Sequence, residues 1–291
     1  LNTLKVNSFS NHEKDHASAS IGASVIINND IYNQLGERWY TAKDDPVALL
    51  RAESKCRNPW VIETIQKHLN VQNNLNGLSD PNHLNHQETN TRVEKAKILD
   101  VGCGGGFLSN PLAQAGHQVT GVDVSTESLE VAKRYDTTQS VHYLNADAYQ
   151  LPFADHEFDI VCAMDFLEHV EDPGKAIQEM GRVLKPGGLF FFHTFNRNPI
   201  SAFVVIRLVE WLVKNTPPHM HISRLFIKPK ELTEYCRRSK MEVVEMRGLQ
   251  PVIFSLAVLR GLFTGVVEDG FRFKFGKSLI TSYCGFSKKT V

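Results

Sequence analysis

The sequence predicts an α/β protein with a doubly wound, mostly parallel sheet. Short apolar strands alternate with helical stretches from Lys97 to Phe195. The first of these strands runs straight into a glycine-rich turn, and every polar motif of interest follows a strand end. Alternation of this kind places helices on both faces of a parallel sheet. In such sheets ligands sit at the carboxyl ends of the strands, near the switch in strand order.

Taken in order, Leu1 to Ser24 is rich in Ser, Asn and His and reads as a mobile tail, drawn here to residue 27. Asp30 to Tyr40 reads as helix, with Ile31, Leu35 and Trp39 at helical spacing. Pro46 to Arg57 and Pro59 to Leu69 read as two further helices, the second opened by its proline. Asn70 to Thr91 is dominated by Asn, His, Gln and Ser and reads as a loop or a disordered insertion. Ile98-Leu99-Asp100-Val101 is the first strand. Phe107 to Ala115 is a helix stopped by Gly116. Gln118 to Asp123 is the second strand, followed by a helix from Ser125 to Tyr135 with Ser125 or Thr126 as cap. Val141 to Leu144 and Phe158 to Met164 are the third and fourth strands. Asp172 to Leu184 is a helix ended by Lys185-Pro186-Gly187-Gly188, and Leu189 to Phe195 is the fifth strand. Residues 28–291 are expected to form one domain, with a ligand-binding core at 98–195 and a lid at 199–267.

Composition narrows the class. The 291 residues are 42% apolar and 22% charged, enough for a sizeable core. Lys+Arg and Asp+Glu both number 32, so bulk attraction to nucleic acid is not expected. The five cysteines are scattered and form no Cys-x-x-Cys pair, which fits a reducing, cytoplasmic setting without zinc or disulfides. The N-terminal stretch has no apolar signal core, and no apolar run approaches the ~18 residues of a spanning helix.

The turn Gly102-Cys103-Gly104-Gly105-Gly106 lets a ligand approach the backbone and aims helix N–H groups at it. Glycine turns also serve dinucleotides or structure alone. Asp123 ends the second strand, where an acid can hold ribose hydroxyls. Asp147 follows the third strand, either as a ligand contact or as a solvated turn residue. After the fourth strand, helix beginning at Asp165 would set Asp165, Glu168 and His169 on one face, able to hold a divalent cation. The alternative is a polar loop below the ligand with no metal.

The order Asp-x-Gly-x-Gly-x-Gly, Gly121-Val122-Asp123, Asn145-Ala146-Asp147-Ala148 with Leu151-Pro152-Phe153, Phe158-Asp159-Ile160-Val161 and Val183-Leu184-Lys185-Pro186-Gly187-Gly188 resembles the class I S-adenosylmethionine-dependent methyltransferases. Met164 with acid-x-x-Glu-His, Asn196-Arg197-Asn198, Phe226-Ile227-Lys228-Pro229, Arg38-Trp39-Tyr40 and Asn58-Pro59 further resemble the 3-demethylubiquinol 3-O-methyltransferases (2-polyprenyl-6-hydroxyphenol methylases) of ubiquinone biosynthesis. That similarity spans roughly Ile31 to Leu249.

The resemblance implies a seven-stranded sheet with N-terminal helices and a helical lid. It implies S-adenosyl-L-methionine bound by Asp100, Gly102, Gly104, Asp123, Val124, Asp147, Ala148 and Met164. It implies O-methylation of a polyprenylated catechol or hydroquinol, and contact with other enzymes of that pathway. In some members the acid, Glu and His hold Mg2+, which maps onto Asp165, Glu168 and His169. The chain departs from the family in places. Val61 stands where the family has a cofactor-binding Arg, with Arg51 or Arg57 as substitutes. His193 stands where the family has Ser, and His221-Ile222 replaces His-Asp. Other readings are a methyltransferase for another small phenol, sugar or carbon acceptor, and a catalytically inactive cofactor-binding or interaction protein.

A methyl group on a sulfonium is already activated, so the protein mainly aligns the acceptor. A phenolic hydroxyl with a pKa of ~10 must still lose its proton. A chelated cation or a neutral imidazole can bring that about, and His169 and His221 are the candidate bases, with His193 as an alternative. The apolar stretches 199–213 and 252–267 are either a buried helical cap or a membrane-touching lid for a prenyl tail; the second reading makes the protein peripheral to a membrane.

Overall fold

The computed structural model describes residues 27–78, 95–253 and 255–290. The expected tail lies outside the described residues, save for its last position. The described residues open with two short helices, α1 (Ile31–Gln34) and α2 (Arg38–Thr41), and a long one, α3 (Val47–Leu78). Then come β1 (Lys97–Val101), α4 (Ser109–Gln114), β2 (Gln118–Asp123), α5 (Thr126–Tyr135), β3 (His142–Asn145), β4 (Phe158–Met164), α6 (Pro173–Val183) and β5 (Leu184–Phe195). The remainder is α7 (Pro199–Ser201), a π-helical turn at Ala202–Leu208, α8 (Val209–Leu212), α9 (Pro229–Arg238), β6 (Met241–Pro251), α10 (Leu256–Thr264), β7 (Phe273–Gly276) and β8 (Ser282–Lys289).

The strands form one sheet in the order β3-β2-β1-β4-β5-β8-β6-β7. The first five run parallel, and β8 pairs antiparallel with both β5 and β6. Strand order reverses between β1 and β4, which opens the ligand crevice at their carboxyl ends. The doubly wound fold is therefore as expected, but eight strands replace the expected seven. The eighth is β7, a short edge strand antiparallel to β6.

The core follows from the period of the strands. Phe190 and Phe192 point to one face, with Leu99, Val101 and residues of α6 and α9. Phe191 points to the other, with Ile98, Ile160 and the α3 residues Trp60, Val61, Ile65 and Leu69. All three phenylalanines are fully buried. Side chains alternate along a strand, so a continuous apolar run serves two faces at once.

The helix expected from Asp30 to Tyr40 is instead two short ones, α1 and α2, separated around Gly36, whose φ is +48°. The next helix differs from the sequence reading as well. The pieces on either side of Pro59 are one helix, α3, which also continues through Asn70 to Leu78 where a loop was expected. A proline inside a helix costs about 3 kcal/mol. Here Pro59 and Lys55, whose carbonyl loses its bond, lie on the exposed side, while Trp60, Val61 and Ile65 bury the other. The lid also differs. Two separate segments, Pro199–Leu212 and α10, cover the carboxyl edge, whereas α9 and β6 between them belong to the core. Among the described residues no helix is long and apolar enough to cross a membrane.

Candidate active site

Strand β1 delivers the chain into the glycine turn, and the backbone there is left-handed: φ is +70° at Gly102 and +49° at Gly104. A Cβ at Gly102 would overlap the Phe166 ring, and one at Gly104 would lie 2.8 Å from the Trp39 indole. Glycine is thus required both by φ and by close approach. Beneath the turn, Asp100 is buried and accepts a hydrogen bond from Ser109 Oγ at 2.6 Å. Burial pushes its carboxyl up to about 7. This geometry ties the turn to α4.

Asp123 ends β2 and accepts from Gly104 N–H at 2.9 Å and from Ser125 N–H at 2.8 Å. Burial raises its pKa, and those backbone donors oppose the rise. Val124 is exposed, with its carbonyl bonded by Asn145 Nδ2 at 2.7 Å. Asp147 is exposed in a turn and accepts from Tyr149 N–H at 2.8 Å, next to buried Ala148. Met164 closes β4, in register with His193 on β5. These residues all reach the carboxyl edge of the sheet.

The N-terminal helices cover this edge, which local sequence patterns did not reveal. Trp39 is buried against Gly104 and Gly105, and Tyr32 stacks on it at 5.7 Å. Tyr40 Oη donates to the Gly105 carbonyl at 2.8 Å. Arg51 donates to the backbone carbonyls of Trp39 and Ala42, so it braces this cover. The Trp39 indole N–H is buried without a partner, available to a polar ligand group over the turn.

Tyr32 of this cover and Asp165, which follows β4, line a cavity of ≈ 360 Å³. Its apolar part includes Leu49, Val205, Leu208, Val213, Val258 and Leu262; Tyr32, Glu53, Asp165, Glu168, His169 and His221 form its polar part. The expected helical face of Asp165, Glu168 and His169 is not formed. Asp165 is left-handed, with φ +56°, and a 3-10 turn covers Leu167–His169 instead. Asp165 turns to Arg57 and His193, accepting from Arg57 Nη1 at 2.8 Å and bonded by His193 Nδ1. Glu168 is fully buried and accepts from Thr194 Oγ1 at 2.9 Å. His169 lies 3.2 Å from Asn29 Oδ1 and 3.4 Å from Tyr32 Oη, and its ring centre is 5.4 Å from that of His221.

The charges sort accordingly. Burial opposes ionisation of Asp165, but Arg57 and then His193 outweigh it and hold this carboxyl well below its ordinary value. Burial and the Asp165 charge push Glu53 and Glu168 upward. Burial pulls His169 down to about 4 and His221 to about 3, with His169 adding to the second shift. Both imidazoles are neutral at pH 7 in the folded chain.

Unfolded imidazoles take up protons near pH ~6.5. The unfolded state therefore binds more protons below that value, and stability is lost as pH falls from there toward the folded values. Keeping each imidazole neutral is expected to cost about 2 kcal/mol of stability by about pH 5 relative to neutral pH. Urea unfolding across this window checks it. A His169→Gln, His221→Gln double variant should show a shallower acid loss; an unchanged slope would contradict the assignment.

Residues 99–192 match the family model of a methyltransferase domain. Together with the doubly wound fold and glycine turn, this defines an S-adenosylmethionine-dependent methyltransferase. A ubiquinone biosynthesis O-methyltransferase of Aromatoleum aromaticum is 38% identical over 174 residues, 58% of this chain and 74% of that protein. A second, from Paracidovorax citrulli, is 33% identical over 217 residues, 72% of this chain and 87% of the other. The chain belongs to this family, the ubiquinone biosynthesis O-methyltransferases. A crystal structure from Bacillus halodurans described as a methyltransferase shares the fold, with a TM-score of 0.50 at 24% identity over 68% of this chain and 94% of its own.

Proposed function

We propose that this enzyme transfers the methyl group of S-adenosyl-L-methionine to a hydroxyl of a polyprenylated catechol or hydroquinol. The observation that carries this reading is the mostly apolar cavity whose lining includes the two neutral imidazoles of His169 and His221 together with Asp165, the residue that follows β4. A flat, ionisable head fits the polar part and a hydrocarbon tail fits the apolar part. Asp123 would hold the cofactor ribose, Asp147 and Ala148 the adenine, and Gly102, Gly104, Val124 and Met164 would shape its bed, with Asp100 supporting the turn. His169 or His221 would take the proton of the attacking hydroxyl.

Labelled cofactor and catechols with prenyl tails of increasing length test this. KM is expected to fall at least about tenfold from a tail-less to a tailed catechol, since each buried methylene contributes about 0.8 kcal/mol. Equal KM values for both would sink the substrate assignment.

The lid supports a further element of this reading, contact with a membrane surface. Phe203, Trp211, Leu256, Leu259 and Phe263 are exposed on its helices, the last at 84%. Exposed aromatic and aliphatic side chains on adjoining helices suit insertion among lipid headgroups. The chain is expected to sediment with liposomes, and a Trp211→Ser, Phe263→Ser variant to stay in the supernatant. Equal partitioning of the two proteins would remove the membrane element.

A further inference from the structure

The family resemblance implies a divalent cation at Asp165, Glu168 and His169, and the residues present do not fit one. Asp165 already grips a cation. Arg57 donates from Nη1 to Oδ1 at 2.8 Å and from Nη2 to Oδ2, and the His193 ring bonds Oδ1 as well. The same guanidinium lies 3.9 Å from Glu53 Oε2. A magnesium-like ion needs carboxylate oxygens at about 2.0–2.1 Å. Placed on Asp165, it would sit within a few ångströms of a permanent positive charge in a buried site, where like charges repel strongly. His169 is held between Asn29 and Tyr32, one ring nitrogen near each, and is not among the groups gathered at Asp165. Among the described residues, the trio whose ligand atoms gather within 4.8 Å is Glu53, Asp165 and His193, and Arg57 contacts two of these three.

We propose that Arg57 takes the place of the metal: its guanidinium, with His193, fixes Asp165 on the acceptor cavity wall, and methyl transfer proceeds with no resident divalent cation. This inference rests on the methyltransferase reading of the site. Arg57 is only 3% exposed and is absent from the cavity lining, so it is a positioning residue. Arginine suits the task because its charge is permanent and its planar fork matches a carboxylate. His193, where the family has Ser, supplies the remaining donor; its Nε2 is buried without a partner, so it bonds only through Nδ1. Asp165 so held accepts a hydrogen bond from the non-reacting hydroxyl of the acceptor. The S–CH3 bond breaks as the O–CH3 bond forms, the hydroxyl proton passes to His169 or His221, and the sulfonium leaves as a neutral thioether.

The test is Mn2+ uptake by the full chain, followed by electron paramagnetic resonance and needing no turnover. The native protein and Asp165→Asn are both expected to take up no tightly held Mn2+. Arg57→Ala, which uncovers Glu53 and Asp165, is expected to gain at least about tenfold in Mn2+ affinity, and Arg57→Lys to gain none, because the lost charge is what excluded the ion. Native protein binding Mn2+ at micromolar affinity, with the binding lost in Asp165→Asn, would overturn the proposal. So would a folded Arg57→Ala that gains no affinity. Should Arg57→Ala not fold, the native and Asp165→Asn pair decides alone. Calorimetry of S-adenosylmethionine on the same metal-free sample separates the two layers: no cofactor binding removes the methyltransferase reading with this one, whereas normal cofactor binding beside tight Mn2+ removes only this one.

Discussion

Asp123→Ala is expected to weaken S-adenosylmethionine binding by about 100-fold or more, at about 1.5–3 kcal/mol for each hydrogen bond to a charged group. The carboxylate holds Gly104 and Ser125 by their backbone N–H groups at 2.9 and 2.8 Å. It therefore ties the glycine turn to the N-terminus of α5, and in the proposed binding mode it also offers charge to a ribose. Alanine leaves both donors without an acceptor and removes that charge. Isothermal calorimetry reads the change directly, with circular dichroism as the control for folding. Asp123→Asn keeps an acceptor oxygen and should fall between the two. Affinity within about threefold of the native value would mean that the cofactor lies elsewhere.

Arg57→Ala is expected to cost about 3–5 kcal/mol of stability, because it strands buried carboxylates without their counter-charge. The Arg57, Glu53 and Asp165 side chains are 3%, 9% and 11% exposed. Removing the cation leaves Asp165 with only the His193 ring against its charge. The loss should shrink as pH falls, since the stranded acids then take up protons and become neutral. Adding Asp165→Asn to Arg57→Ala should recover part of the stability by removing the uncompensated charge. Chemical denaturation at neutral and mildly acid pH measures both effects. A loss under about 1 kcal/mol at neutral pH would show that water reaches this pair.

How much of this was legible depends on the range of the interactions. The turn from Gly102 to Gly106 follows β1, Asp123 closes β2 and Asp147 lies two residues past β3, so their place at the carboxyl edge can be read along the chain. Ser125 and Asp172 cap their helices through residues three positions on, again a local matter. The edge strand β7 is short and paired only with β6, and its apolar residues are too few to mark it. Pro59 misled because a proline is a strong local breaker, while burial of its helix against the sheet is a distant effect.

The fold class, the five parallel strands, the glycine turn and the acids that face it were determined by the sequence itself, because strand period, turn chemistry and chain order act over a few residues. Only the tertiary structure decided that Trp39 and Tyr32 cover the turn and that α9 and β6, between the two lid segments, join the core. It also decided that Asp165 answers to Arg57, 108 residues away, rather than to Glu168 and His169 beside it. The physical reason is that a buried carboxylate takes the charge partner that folding brings to it. In this protein that partner is carried by α3, which packs on one face of the sheet from a remote part of the chain.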